Sequence, residues 1–322
     1  MIDFEEVTEV SKFYDPTKNE VIEETIIIRK DPLTGKRCRI VQKDLPISRN
    51  ADIQEEITGG FCPFCPETIY EIGARDNRVM DNELGEEGEA VLLANISPYA
   101  ERSLVIRLTE EHYLPLDDFK EKQFTDGFKL IQQYLKGSTE DLYSNIMMNY
   151  LKPAGSSIVH PHMQVLMSRS PMDYLKRMMD GLERYPENYY RSLLEEIEER
   201  YIGDTGEIRW ITPFAPRGLE HVQGIALEGF TSLDPEGLND ISRGITNTLK
   251  YYSSLGLNSF NICITPLERI KEPTTIVDIV ARSSMDRYYW CDVFALSKLM
   301  DEPYSNKFPE DVAEAAKRFF EK

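Results

Sequence analysis

NYLKPAGSSIVHPHMQ, residues 149–164, is the stretch on which the rest of the chain is read. The apolar runs YSNIMMNY and MQVLMS flank a Pro-Ala-Gly-Ser-Ser turn, the pattern of two strands joined by a short connection. On a strand, side chains two and four residues apart share a face. His160, His162 and Gln164 therefore point together, while Pro161 and Met163 point away. The chain has only 4 histidines, and two of them alternate here directly after a Gly-Ser-Ser turn.

Upstream, Cys62-Pro63-Phe64-Cys65 is a C-x-x-C that reads as a redox pair, half of a zinc site, or two buried thiols. A thioredoxin-type pair opens a helix after a strand, whereas this one sits among glycines and prolines. A closed tetrahedral site needs two more ligands. His112 and one of the paired histidines are the candidates, His221 lying far down the chain, with a solvated loop histidine as the alternative for His112.

Residues 21–45 carry TIIIRK and RCRIVQK around the turn DPLTGK, a β-hairpin pattern. AVLLANISPY and ERSLVIRL read as strands. From Leu116 to Leu135, Phe119, Phe124, Phe128, Ile131 and Leu135 fall at helical spacing. Residues 171–200 are helical in pattern. EIRWITPFAP and VQGIALEG read as strands, 238–255 as a helix, NSFNICIT and TTIVDIVARSS as strands, and a helix starts at Pro309. The order predicts an α+β fold of two similarly built units, residues 1–172 and 173–322.

With 37 basic against 56 acidic residues the net charge is −19, which argues against a generic grip on nucleic acid or an anionic membrane. The acidic start MIDFEEVTEV lacks the basic and apolar regions of a signal peptide, and no apolar run reaches membrane-spanning length. A cytoplasmic protein is expected. Five unevenly spaced cysteines do not make a disulfide framework. Neither a Walker-type nor a G-x-G-x-x-G phosphate loop is present.

The run from Asn149 to Gln164, with Gly155-Ser156-Ser157 and HPHMQ, resembles the active-site segment of the galactose-1-phosphate uridylyltransferase family, a branch of the histidine triad superfamily. IRKDPLTGK, FCPFC, ANISPY, WITPFAPRGLEH and FPEDVAEAAKRF resemble further landmarks of that family in the same order. The resemblance implies two histidine-triad-like domains, each a mainly antiparallel sheet packed with helices. It implies one zinc per chain held by Cys62, Cys65, His112 and His160, with His162 as the nucleophile. Gln164 and Ser157 would act with it, and Arg29, Asn95, Asn149, Gly155 and Ser156 would contact substrate.

The implied chemistry is transfer of a nucleoside monophosphate, UMP foremost, between a nucleotide sugar and a sugar phosphate through a covalent nucleotidyl-histidine, in a homodimer. Adenylyl transfer from an ADP-sugar or dinucleoside polyphosphate to phosphate is the alternative, and a zinc-stabilised nucleotide-binding protein without turnover is another. A glutamine at 164 cannot shuttle a proton, which suits an acceptor that is already an anionic phosphate. The family's second, histidine-built metal site has no counterpart in NICITPLERIKEPTTIVDIVARSS, so a second metal is not expected. After Arg282-Ser283 the chain departs from the family's basic hexose-phosphate segment, leaving Arg287 as a substitute cation and making galactose 1-phosphate a doubtful acceptor.

Overall fold

The computed structural model describes residues 2–43, 53, 57, 60–77, 83–185, 188–285 and 290–321; Arg287 lies outside them. The expected 21–45 hairpin is present as β2 (Glu20–Lys30) and β3 (Arg37–Ile40), paired antiparallel. It is preceded by a strand the sequence did not announce, β1 (Glu5–Asp15), which pairs with β2 along its whole length. Its residues are exposed on both faces, so it has no apolar side for a periodicity reading to find.

The first half continues with helix α1 (Pro66–Ile72), β4 (Gly85–Glu87), β5 (Ala90–Ala94), β6 (Arg102–Arg107), α2 (Glu121–Gly137), β7 (Tyr143–Tyr150) and β8 (His162–Ser168). Leu116–Asp118 forms only one 3-10 turn, and α2 starts later than its apolar spacing suggests. Gln123 Oε1 accepts the Lys120 N–H at 2.9 Å and sets the start there.

Residues 171–200 make two helices rather than one, α3 (Asp173–Glu183) and α4 (Tyr189–Glu195). The second begins where the Asn188 side chain accepts the Arg191 N–H at 3.0 Å. Then follow β9 (Tyr201–Thr205), which the sequence reading missed, β10 (Ile208–Ile211) and β11 (Leu219–Ala226). Helix α5 (Pro235–Ser254), capped by Asp234, β12 (Phe260–Leu267) and β13 (Thr274–Ala281) follow, and the helix expected from Pro309 runs over Pro309–Lys317.

Both halves share one plan. β4 to β8 lie in the order β4-β5-β6-β8-β7, and β9 to β13 in the order β9-β10-β11-β13-β12. β7 pairs antiparallel with β12, with Asn149 opposite Asn261, so the halves fuse into one ten-stranded sheet. The fold is α+β. A separate four-stranded sheet adds β14 (Tyr304–Ser305), parallel to β3, to the N-terminal hairpin. Among the described residues no helix is long and apolar enough to cross a membrane.

The pairing register sorts the faces of the large sheet. Leu104, Ile106, Met163, Val165, Val277 and Ile279 face a core shared with α2 and α5, where Phe124, Phe128, Ile131, Ile241 and Ile245 are buried. On the other face, Val91, Leu93 and Val105 pack against Cys62, Phe64 and Ile69 of the cysteine segment. Further along that face Ile225 and Ile276 pack under Leu175, Met178, Tyr189 and Tyr190 of α3 and α4. His162 and Gln164 belong to this second face.

Candidate active site and metal centre

Four side chains predicted to meet do meet: one ligand atom from each of Cys62, Cys65, His112 and His160 lies within 4.8 Å of the others. His160 Nδ1 is 3.6 Å from Cys62 Sγ and 3.7 Å from Cys65 Sγ, and His112 Nδ1 is 3.3 Å from Cys65 Sγ. Metal–sulfur and metal–nitrogen bonds of about 2.3 and 2.0–2.1 Å at tetrahedral angles put sulfur and nitrogen about 3.6 Å apart, so the set fits a tetrahedral ion.

His160 Nε2 lies 2.7 Å from the Thr109 carbonyl, which only accepts. Nε2 therefore carries the proton and Nδ1 presents a lone pair to the cluster. Burial pushes the His160 ring down to about 4, so it stays neutral and ready to ligate. Burial also pushes the Cys65 thiol up to about 11, and a bound cation is what would make it a thiolate. Contrary to the loop reading of C-x-x-C, Cys65 stands at the start of α1, with Pro66 in its first turn.

His162 opens β8 and is 6% exposed. Its Nδ1 is 2.8 Å from the His160 carbonyl, so Nδ1 holds the proton and Nε2 carries the free lone pair. The Phe64 ring, between the two cysteines, lies 5.1 Å from the His162 ring. The knuckle thus packs directly on the imidazole, and His160, one of its four donors, supplies the carbonyl that orients it. Burial lowers the His162 pKa and keeps the ring neutral.

The sequence did not single out Arg107. It sits opposite His162 across the β6–β8 pair, 1% exposed, with Nη2 donating to the Glu89 carbonyl at 2.9 Å. Its Nε and Nη1 find no partner among the described residues.

Gln164 is half-buried on the face of His162, and Ser157 is exposed in the turn. Gly155 adopts φ 85°, the left-handed conformation that its lack of a Cβ permits, and Leu151 is also left-handed at φ 65°. Gly155 and Ser156 were expected to contact substrate, but their backbone amides are already engaged within the turn. Gly155 N–H donates to Lys152 O at 2.9 Å and Ser156 N–H to Leu151 O at 3.2 Å, closing the turn on itself. The Ser156 hydroxyl is likewise spent on Ile158 O at 2.6 Å.

Asn149 stands on the His162 face, two residues along β7 from Met147, which opposes Gln164. Asn95 lies instead beyond the far end of β5, its N–H bonded to the carbonyl of Ser103, which opposes Leu166. That is about 13 Å along the strand from His162, at about 3.3 Å per residue.

Arg29 does not join the site. Its Nε and Nη1 are held by Glu6 at 2.7 Å and Glu310 at 2.8 Å, and its guanidinium lies 4.6 Å over the Phe214 ring. All of this is in the small sheet and its neighbours, so in place of the expected substrate contact Arg29 is tied to two partly exposed glutamates.

In the second half, Asp278 on β13 accepts from Gln223 at 2.7 Å, His221 Nε2 at 3.0 Å and Arg217 at 3.1 Å. His221 Nδ1 in turn accepts the Arg217 N–H at 3.0 Å. Burial works to raise the Asp278 pKa, but the Arg217 charge and the bonds from His221 and Gln223 outweigh it and hold the carboxyl well below its usual range. Glu268 receives the Thr231 N–H at 2.8 Å.

This architecture defines a class by its fold, which the chain shares with solved uridylyltransferase and nucleotide-sugar phosphorylase structures. An ADP-glucose phosphorylase from Arabidopsis thaliana, solved with ADP-glucose, superposes with a TM-score of 0.71 at 18% identity over 90% of this chain and 98% of that one. A uridylyltransferase structure gives 0.64 at 19% identity over 91% and 98%. The chain belongs to one family with an uncharacterised protein of Archaeoglobus fulgidus, to which it is 43% identical over 323 residues, 97% of each chain. No protein-family profile matches it.

Proposed function

We propose that this chain is a nucleotidyltransferase that passes a nucleoside monophosphate from a nucleotide sugar to a phosphate-bearing acceptor by way of His162. The observation that carries the reading is the fixed tautomer of His162, whose Nε2 lone pair is left free by the Nδ1–H to His160 carbonyl bond of 2.8 Å. In the first step Nε2 attacks the α-phosphorus, an N–P bond forms, and the bond from that phosphorus to the sugar phosphate breaks, releasing the sugar 1-phosphate with the electron pair. In the second, an acceptor phosphate oxygen attacks the same phosphorus and the electron pair of the N–P bond returns to Nε2. No proton need leave such an acceptor, which agrees with glutamine at 164.

Zinc is the metal that a tetrahedral set of two thiolates and two imidazoles suits best. Its contribution would be structural, tying the cysteine segment, the His112 loop and the His160 carbonyl together so that His162 cannot swing. Asn95 and Asn149 bracket the length over which a nucleoside and its phosphate would lie. Dimerisation belongs to the same reading by resemblance, and a cytoplasmic site of action goes with it on the sequence argument given above.

The test is intact-mass measurement after incubation with ADP-glucose and, separately, UDP-glucose. One of them should leave its nucleoside monophosphate on the wild type and not on His162→Gly, and discharge by phosphate or a sugar phosphate then identifies the acceptor. A nucleotide adduct of equal yield on His162→Gly, or none on the wild type with either donor, would overturn the proposal.

A further inference from the structure

Asn149 and Asn261 face each other across the seam between the two halves, on the face of the sheet that carries His162 and Gln164. Asn261 Nδ2 donates to Asn149 Oδ1 at 2.6 Å and to the Ala154 carbonyl of the Gly-Ser-Ser turn at 2.9 Å. Asn261 Oδ1 accepts from Arg282 Nη1 at 2.8 Å. Arg282 is in turn gripped by Asp292, with Nε and Nη2 at 2.7 and 2.8 Å from the two carboxylate oxygens. The pair is nearly out of water, its side chains 12% and 9% exposed.

This chain has a polarity. A guanidinium only donates, so the group of Asn261 that meets it must be the carbonyl oxygen. The amide nitrogen of Asn261 then faces Asn149 and Ala154, and because that nitrogen donates, Asn149 must present its own oxygen to it. The NH₂ of Asn149 is consequently left to meet another acceptor on the face of the sheet that carries His162. A neutral side chain that could present either end is locked into offering two hydrogen-bond donors, which is what a phosphoryl oxygen requires. The same Asn261 nitrogen pins the turn at Ala154, next to the left-handed Gly155.

We infer that Asn261 and Arg282, both from the second half, are positioning residues for the first half's chemistry: they set Asn149 as a donor to an oxygen of the transferred phosphoryl group and fix the turn beside it. The inference deepens the proposed function and rests on it for the identity of the phosphoryl group. The orientation of the amides does not.

The kinetic test is the single-turnover rate of His162 labelling by the preferred nucleotide sugar in wild type, Asn261→Ala, Asn261→Asp and Arg282→Gln. A displacement of the donor by a fraction of an ångström to about 1 Å costs up to about 100-fold in rate. The expectation is a 10- to 100-fold slower labelling in Asn261→Ala and Asn261→Asp, a smaller loss in Arg282→Gln, donor KM within 3-fold of wild type, and unchanged metal content. Labelling of all three variants within 2-fold of wild type overturns the inference. The second measurement is independent of turnover: hydrogen exchange of the side-chain amides by NMR should find the Asn261 NH₂ protected and the Asn149 NH₂ exchanging freely. The reverse order overturns the inference even if the enzyme is never labelled, whereas absence of labelling with the expected exchange order overturns only the proposed function.

Discussion

Replacing Asp278 by asparagine removes one charge from the second half and almost no volume. In the native protein its two oxygens take three donors, from Arg217, His221 and Gln223. Asparagine offers one accepting oxygen and turns an NH₂ toward a neighbour that can only donate. Breaking a buried ion pair at one partner typically costs about 3–5 kcal/mol. Arg217 keeps 27% side-chain exposure and can partly rehydrate, which places the substitution at the lower end, about 3 kcal/mol.

An unfolding entropy of about 2.1 cal/mol/K per residue over 322 residues makes 1 kcal/mol worth about 1.5 °C, so Tm should fall by about 5 °C near pH 7. Differential scanning calorimetry at several pH values reads it. The native Asp278 carboxyl titrates below its unfolded value of about 3.9, so its contribution is fully present above that pH and is lost as pH falls through the lower folded value. The gap between wild type and Asp278→Asn should be constant from pH 5 to 7 and shrink below pH 4. Metal content should not change. A Tm within 1 °C of wild type at pH 7, or the loss of one metal equivalent, would refute the assignment of Asp278 to an internal ion pair.

Three further outcomes follow from the packing. Cys65→Ser should lose the bound metal and much of the thermal stability together, measured by elemental analysis and Tm, and retention of a full equivalent of metal would contradict the four-ligand assignment. Arg29→Ala should cost about 1–2 kcal/mol, mostly through lost packing of the guanidinium on Phe214, since Glu6 and Glu310 keep 40% and 27% side-chain exposure, while leaving the donor KM within 2-fold; a 10-fold rise in KM at unchanged stability would return Arg29 to the substrate site. Gly244→Ala should destabilise by about 1–3 kcal/mol, because a Cβ there runs into the indole ring of buried Trp210, and an unchanged Tm would show that the helix α5 shifts at no cost.

Which histidine of the pair ligates and which attacks came from the family resemblance, but that these residues belong near one another was legible from local pattern: alternation in His160-Pro161-His162, a two-residue spacer between cysteines, and few histidines in all. The strands and helices of the core were legible for the same reason, since their apolar faces repeat at a fixed period. What could not be read was pairing. Asn261 lies 112 residues from Asn149, and only the β7–β12 register puts them opposite each other. Arg29 misled because an arginine bound to phosphate and an arginine bound to two glutamates look alike in a sequence. At Gly155 and Ser156, composition shows how many N–H groups a Gly-Ser-Ser turn has, not that Leu151 and Lys152 already occupy two of them.

The seam between β7 and β12 also decides what happens to a half left on its own. In the intact sheet the two outermost strands are β4, of 3 residues, and β9, of 5, both too short to template much pairing with another chain. Severing the chain between β8 and β9 and separating the pieces would bare β7 and β12, each of 8 residues and largely apolar on one face, with open backbone donors and acceptors along one side. Such edges recruit any extended chain in reach. Each half is therefore the other's protection against aggregation, and co-expression of the two pieces, rather than either alone, is the way to recover them from solution.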